Sequence, residues 1–160
     1  MDKIWEKVGG WPKLLGLKGT YLHTIDQKGR LNIPPKFRGR PDSPVADHFV
    51  IVRGFENCLY VYHYESWAEI EQKFAALKTI SDPIARQFIR TIMSNAADVK
   101  LDKAGRIIIP KDLLDIAGIR KEVVMRGVLD KFELWDPEIL KKYEAGLDQT
   151  YEDIAKQLLL

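Results

Sequence analysis

A chain of 160 residues, 46% hydrophobic and 30% charged, has room for one compact domain or two small ones packed closely together, and its composition is not that of a disordered or fibrous protein. A formal net charge of +2 does not by itself point to nucleic acid, and the single cysteine, Cys58, excludes an internal disulfide framework. No stretch approaches the roughly 20 apolar residues of a membrane span, and near the start Glu6 and Gly9-Gly10 interrupt any apolar run of signal-peptide length, so the sequence predicts a cytoplasmic protein.

In chain order, residues 1–17 form an N-terminal extension containing Trp5 and Trp11. It reads as an extended start, an appended segment, or a helix covering an apolar surface. A short strand over residues 21–25 then leads into Asp26-Gln27-Lys28-Gly29-Arg30, where a glycine supplies the positive φ that a tight hairpin needs. A second strand over 31–33 ends at Pro34, which opens a short helix. The segment Gly39-Arg40-Pro41-Asp42-Ser43-Pro44 has strong turn chemistry. Two more strands, 49–52 and 59–62, close the unit. Residues 66–78 place Trp67, Ile70, Phe74 and Leu77 at spacings of three and four, one apolar helical face. Ser81 or Asp82 can cap a second helix starting at Pro83, with Ile84, Phe88, Ile89 and Ile92 as its buried stripe.

The first unit then recurs. Residues 102–110 read Asp-Lys-Ala-Gly-Arg-Ile-Ile-Ile-Pro against Asp-Gln-Lys-Gly-Arg-Leu-Asn-Ile-Pro at 26–34, an offset of 76. Arg126-Gly127 repeats Arg53-Gly54 at an offset of 73, so three additional residues fall within copy one. The second copy predicts strands over 107–109, 123–126 and 132–135, with a helix over 111–117 capped by Gly118. The tail from Pro137 reads as one or two helices broken near Gly146. The expected divisions are an extension (1–17), repeat one (18–65), a helical connector (66–97), repeat two (98–138) and a helical tail (139–160), an α+β chain.

Charge follows the repeat. Residues 18–40 carry +5 and residues 100–126 carry +3, whereas 41–99 carry −3 and 127–160 carry −4. A nearly neutral chain can still present a positive face; a solvated surface is the plainer reading for either segment alone. No phosphate-binding loop, nucleophile elbow or metal-ligand spacing occurs among the three histidines and the cysteine, so no enzyme, cofactor or metal is expected. His23 and His63 read as strand-surface or core residues and Cys58 as a small hydrophobe. Trp67 and Trp135 read as plugs at strand–helix junctions, and Tyr60 and Tyr62 as packing residues on one strand face.

Within each turn an Asp and an Arg lie four residues apart: Asp26 with Arg30, and Asp102 with Arg106. The plain reading is a local ion pair that stiffens the turn. The functional one is that the carboxylate aims a guanidinium fork able to grip phosphate or guanine. Lys28, Lys36 and Arg38 in copy one, and Lys100, Lys103 and Lys111 in copy two, would then hold the phosphate backbone.

These features, together with Gly19-Thr20-Tyr21, Lys36-Phe37-Arg38 and Lys131-Phe132-Glu133-Leu134-Trp135, resemble the MraZ family, a two-copy relative of AbrB-type swapped-hairpin domains. The resemblance covers about residues 18–150. It implies a double-split β-barrel made from two AbrB-like repeats, ring-like homo-oligomers, and regulation of transcription through short direct repeats in a promoter, usually that of the cell-division and cell-wall gene cluster, in association with the nucleoid. The site residues it implies are Asp26, Lys28, Arg30, Lys36, Arg38, Asp102, Lys103 and Arg106. The competing expectation is a protein-interaction module of the antitoxin-like class, with the acidic tail docking a basic partner. The extension before Lys18 departs from the family pattern.

Overall fold

A computed structural model describes residues 16–159. The expectations attached to Trp5 and Trp11 lie outside the described residues. The elements are β1 (Thr20–Thr24), β2 (Arg30–Asn32), a 3-10 turn (Pro35–Phe37), β3 (His48–Arg53), β4 (Leu59–His63), α1 (Tyr64–Ala75), α2 (Pro83–Ser94), β5 (Ala97–Lys100), β6 (Arg106–Ile108), α3 (Lys111–Ala117), β7 (Glu122–Gly127), β8 (Phe132–Trp135), α4 (Pro137–Ala145) and α5 (Tyr151–Gln157). The chain is α+β, with six strands in one antiparallel sheet ordered β1-β7-β8-β4-β3-β5 and a separate antiparallel pair, β2-β6.

The expectation of a local hairpin around each turn is corrected. The strands on either side of a turn belong to different sheets: β1 pairs with β7, and β2 pairs with β6 of the other copy. Three residues are too few to sustain a ladder alone. By crossing to the other copy, each short strand gains a partner and places Leu31 and Ile107 side by side, both fully buried. The ladder continues past the strands, because Ile109 N–H donates to the Gly29 carbonyl at 2.8 Å and Ile33 N–H to the Gly105 carbonyl at 2.9 Å.

One core lies between the sheet and this pair, drawing Ile33, Phe37, Phe49, Ile51, Leu113, Met125, Phe132 and others from both copies. Phe37 sits at its centre, stacked on Phe132 at 4.9 Å between ring centroids and edge-on to Tyr21 at 5.2 Å. The opposite face of β3 carries Val50 and Val52, which pack with Tyr62, Trp67 and Ile92 under α1 and α2. β3 is therefore apolar on both faces because both are covered, as in buried central strands generally.

The helix signals have direct counterparts. Asp82 caps α2, accepting from the Ile84 and Ala85 amides at 2.9 and 3.4 Å, with Pro83 in its first turn. Gly118 ends α3 at φ +64°. The tail breaks after Ala145 and restarts at Tyr151. Trp67 and Trp135 are buried where β4 and β8 run into α1 and α4. The stripe expected on α2 is corrected at Ile84, which is 81% exposed; Ile92 is buried and Phe88 and Ile89 are partly covered as expected, and Ala85 is buried as well. Leu17 joins the core, and both Gly16 and Leu17 donate backbone hydrogen bonds to the Leu129 carbonyl.

Phe37→Ala removes the ring on which both copies pack. It is expected to cost about 3–5 kcal/mol of unfolding free energy, measured by denaturant titration against the wild type.

Candidate nucleic-acid interface

Each Asp-x-x-x-Arg segment folds into the same hydrogen-bonded unit. Asp26 Oδ1 accepts from the Lys28 and Arg30 amides, both at 2.9 Å, and Oδ2 accepts from Arg30 Nε at 2.6 Å. Asp102 Oδ1 accepts from the Ala104 and Arg106 amides at 2.8 and 2.9 Å, and Oδ2 accepts from Arg106 Nε at 3.0 Å. Backbone bonds then close the turn, from Gly29 N–H to the Asp26 carbonyl and from Gly105 N–H to the Asp102 carbonyl, each at 3.0 Å. Gly29 and Gly105 stand at φ +81° and +80°, a conformation that costs L-residues steric strain.

The chemistry follows from which atoms are occupied. Each carboxylate holds its arginine through Nε, so the two terminal nitrogens of the guanidinium remain available as a planar donor pair. Both arginines are only about one-third exposed, so their direction is set by the turn. The Arg30 and Arg106 amides, with smaller contributions from the guanidinium groups, hold the Asp26 and Asp102 carboxyls below the ordinary carboxylate range. Both pairs therefore persist at neutral pH as charged, geometrically fixed units.

β2 and β6 bring the two turns onto one ribbon. Arg30 stands opposite Ile108, and Asn32 opposite Arg106. All four point away from the core, since the intervening Leu31 and Ile107 point into it. The arginines are thus diagonal neighbours, about 7–8 Å apart by the usual geometry of antiparallel pairs. Lys28, Lys36 and Lys103 are exposed nearby in sequence. Lys111 is exposed and paired with Asp115 at 3.1 Å, and Lys100 lies 3.6 Å from Asp47.

Arg38 stands apart. Its Nε donates to the Ile33 carbonyl at 2.9 Å, and its guanidinium lies over Gly105 so closely that any side chain there would collide with it. It thus lies between a carbonyl of the first copy and the turn of the second. The outer face also carries Asn32 and Ile108, which the alternation of Leu31 and Ile107 could have placed there had the two strands been paired with each other.

Burial pushes the Cys58 thiol up to about 12, and its Sγ–H donates to the Phe55 carbonyl. Burial holds His63 below the ordinary imidazole value, against the opposing effect of its Nε2 contact with the Phe37 carbonyl at 2.6 Å. Lys131 places its ammonium over Tyr60 and Tyr62 at 4.9 and 5.6 Å. Among the described residues no group of three metal-ligating side chains converges, and no helix is long and apolar enough to cross a membrane.

Because the folded Asp26 and Asp102 carboxyls titrate below their unfolded values, the stability they contribute is complete above about pH 4 and is lost as pH falls through their lower folded values. Thermal unfolding of the wild type and of Asp26→Asn/Asp102→Asn across pH 2–7 should show a gap at neutral pH that closes only in the acid limb. A gap that closes near pH 6 would remove these carboxylates as its source.

Comparison with known proteins adds the family. The model described as "MraZ protein, putative antitoxin-like" matches residues 17–90 and 92–160. A protein of Thermoanaerobacter pseudethanolicus named transcriptional regulator MraZ is 42% identical over 142 residues, 89% of this chain and 96% of its own. Proteins of the same name from Moorella thermoacetica and Halothermothrix orenii are 41% and 40% identical, covering 88% and 86% of this chain and 95% and 92% of theirs. The family model matches the chain twice, each match containing one of the two turns, and the chain belongs to the MraZ family of transcriptional regulators.

Proposed function

We propose that this regulator binds double-stranded promoter DNA through the β2–β6 ribbon, with Arg30 and Arg106 reading base edges from the major groove. The observation that carries this reading is the duplicated turn, in which a carboxylate holds each guanidinium by Nε on the ribbon face turned away from the core and leaves the terminal nitrogens unoccupied. Arginine binds guanine O6 and N7 with that donor pair, and a two-stranded ribbon fits the major groove. Asp26 and Asp102 orient the arginines. Lys28, Lys36 and Lys103 neutralise phosphates on either side, and Arg38 keeps the turns in register.

The targets are short direct repeats in the promoter of the cell-division and cell-wall gene cluster, and the protein works at the nucleoid as a ring-like homo-oligomer. We read the sheet and ribbon together as a double-split barrel of two AbrB-like repeats, a reading supported by the exchange of β2 and β6 between copies. Assembly is supported by α5, which has no buried residue yet carries Leu147, Tyr151, Ile154 and Leu158 exposed at spacings of four, three and four on and beside it. A helix of seven residues is marginal in water without a covering surface. One ribbon makes few contacts, and linked ribbons on successive repeats gain avidity through effective concentration.

Gel-shift titration against a direct-repeat promoter fragment and a scrambled duplex, at two salt concentrations, tests this. The promoter should be preferred, binding should weaken as salt rises, and Arg30→Ala or Arg106→Ala should reduce affinity tenfold or more with unchanged oligomer size. Equal affinity for both duplexes, or a stoichiometric protein partner with no DNA retained, would favour the protein-interaction reading.

A further inference from the structure

The ribbon is nearly two-fold symmetric. Its turns share the same hydrogen bonds, its glycines the same φ, and its ladder the same flanking bonds from Ile109 to Gly29 and from Ile33 to Gly105. Arg30 and Arg106 are equivalent under this symmetry, as are the fully buried Leu31 and Ile107. Between the paired strands the symmetry fails at one outward-facing pair, where position 32 is asparagine and position 108 is isoleucine, while the turns differ at Gln27 against Lys103 and at Lys28 against Ala104.

Neither side chain serves the fold. The Asn32 carboxamide is exposed and makes no hydrogen bond among the described residues, and asparagine is a poor strand former. Ile108 is 57% exposed on a face otherwise made of two guanidinium groups and a carboxamide. A branched residue suits a strand, yet Ile107 and Ile109 already supply the buried aliphatic surface of this segment. The two residues form one diagonal of the face and the arginines form the other, so all four stand on the same surface within about 8 Å of each other.

Resting on the reading that this face enters the major groove, we propose that Asn32 and Ile108 are specificity-determining residues, Asn32 pairing with an adenine and Ile108 packing on a thymine methyl beside the guanines held by Arg30 and Arg106. A carboxamide offers one donor and one acceptor, which match N7 and N6 of adenine. An aliphatic branch offers no hydrogen bond and matches the only apolar group in the groove. If positions 32 and 108 were alike, the base-reading side chains of the paired strands would be the same in either direction, and the turn lysines, which meet phosphates, would add no base preference. The carboxamide and the aliphatic branch make the two directions unequal, so each subunit faces the same way along the duplex. Sites arranged head to tail then suit a series of such subunits better than inverted sites.

Selection from a random-sequence duplex pool, with wild type, Asn32→Ala, Ile108→Asn and Arg30→Ala, tests this. Wild type should enrich a motif with no internal two-fold symmetry, containing guanines and two specified A·T positions. Asn32→Ala should lose about tenfold discrimination at one A·T position and keep the rest. Ile108→Asn should exchange thymine for adenine at the other position and move the motif towards an inverted repeat. Both side chains are exposed, so unchanged thermal midpoints will separate loss of reading from loss of folding. Two results would overturn the proposal. If wild type and Arg30→Ala both enrich nothing, DNA reading by the ribbon fails and this inference falls with it. If wild type enriches a motif that Asn32→Ala and Ile108→Asn select unchanged, only the assignment of these two residues fails.

Discussion

The exchange of β2 and β6 between the two copies is the constraint on which the rest of the molecule depends. Three residues from each copy meet in register, Leu31 against Ile107, and both side chains are sealed over a core to which neither copy contributes alone. The pairing closes one side of the molecule with a ribbon whose inner face is wholly apolar and whose outer face is wholly solvent-facing. It also sets the spacing of the two turns. Since strand residues alternate strictly between faces, burial of the two aliphatics determines that both arginines point the other way. Packing and presentation of the site are thus one event, and a slip of one residue in the β2–β6 register would bury charge and expose the aliphatic side chains of the slipped strand.

The turns add stiffness that the ladder cannot supply. A three-residue strand ends almost as soon as it begins, and a guanidinium on its first residue would sample many rotamers in water. Asp26 and Asp102 remove that freedom by binding backbone and side chain with the same carboxylate. An exposed ion pair of this kind contributes little to stability. Its effect is to reduce the entropy lost when the arginine engages a partner.

Much of this was legible in the sequence because it was written twice. The 76-residue offset located both turns, both prolines and the strands around them, and helix ends carried their usual marks at Asp82, Pro83 and Gly118. What was not legible was which strand each short strand would choose. The residues from 31 to 33 and from 107 to 109 show an aliphatic pattern compatible with a local hairpin or an exchanged one, and only three-dimensional packing decides between them. For the same reason Asn32 and Ile108 carried no signal, because their meaning lies in standing across from arginines of the other copy. Arg38 looked like another surface cation, and its approach to Gly105 depends on the same exchange. Ile84 fitted the helical period, but a period identifies a face without saying how much of it a neighbour covers.

The sheet order also sets a schedule for synthesis. β1 is held by β7, and Thr24 faces Glu122, a residue 98 positions later in the chain. β2 likewise has no partner until β6 exists. At ordinary translation rates the first strand therefore leaves the ribosome roughly 5–20 s before the strand that will hold it. For that interval the nascent first copy has two unpaired strands and an uncovered Leu31 and Phe37, a surface open to chaperones and to pairing with strands of neighbouring chains.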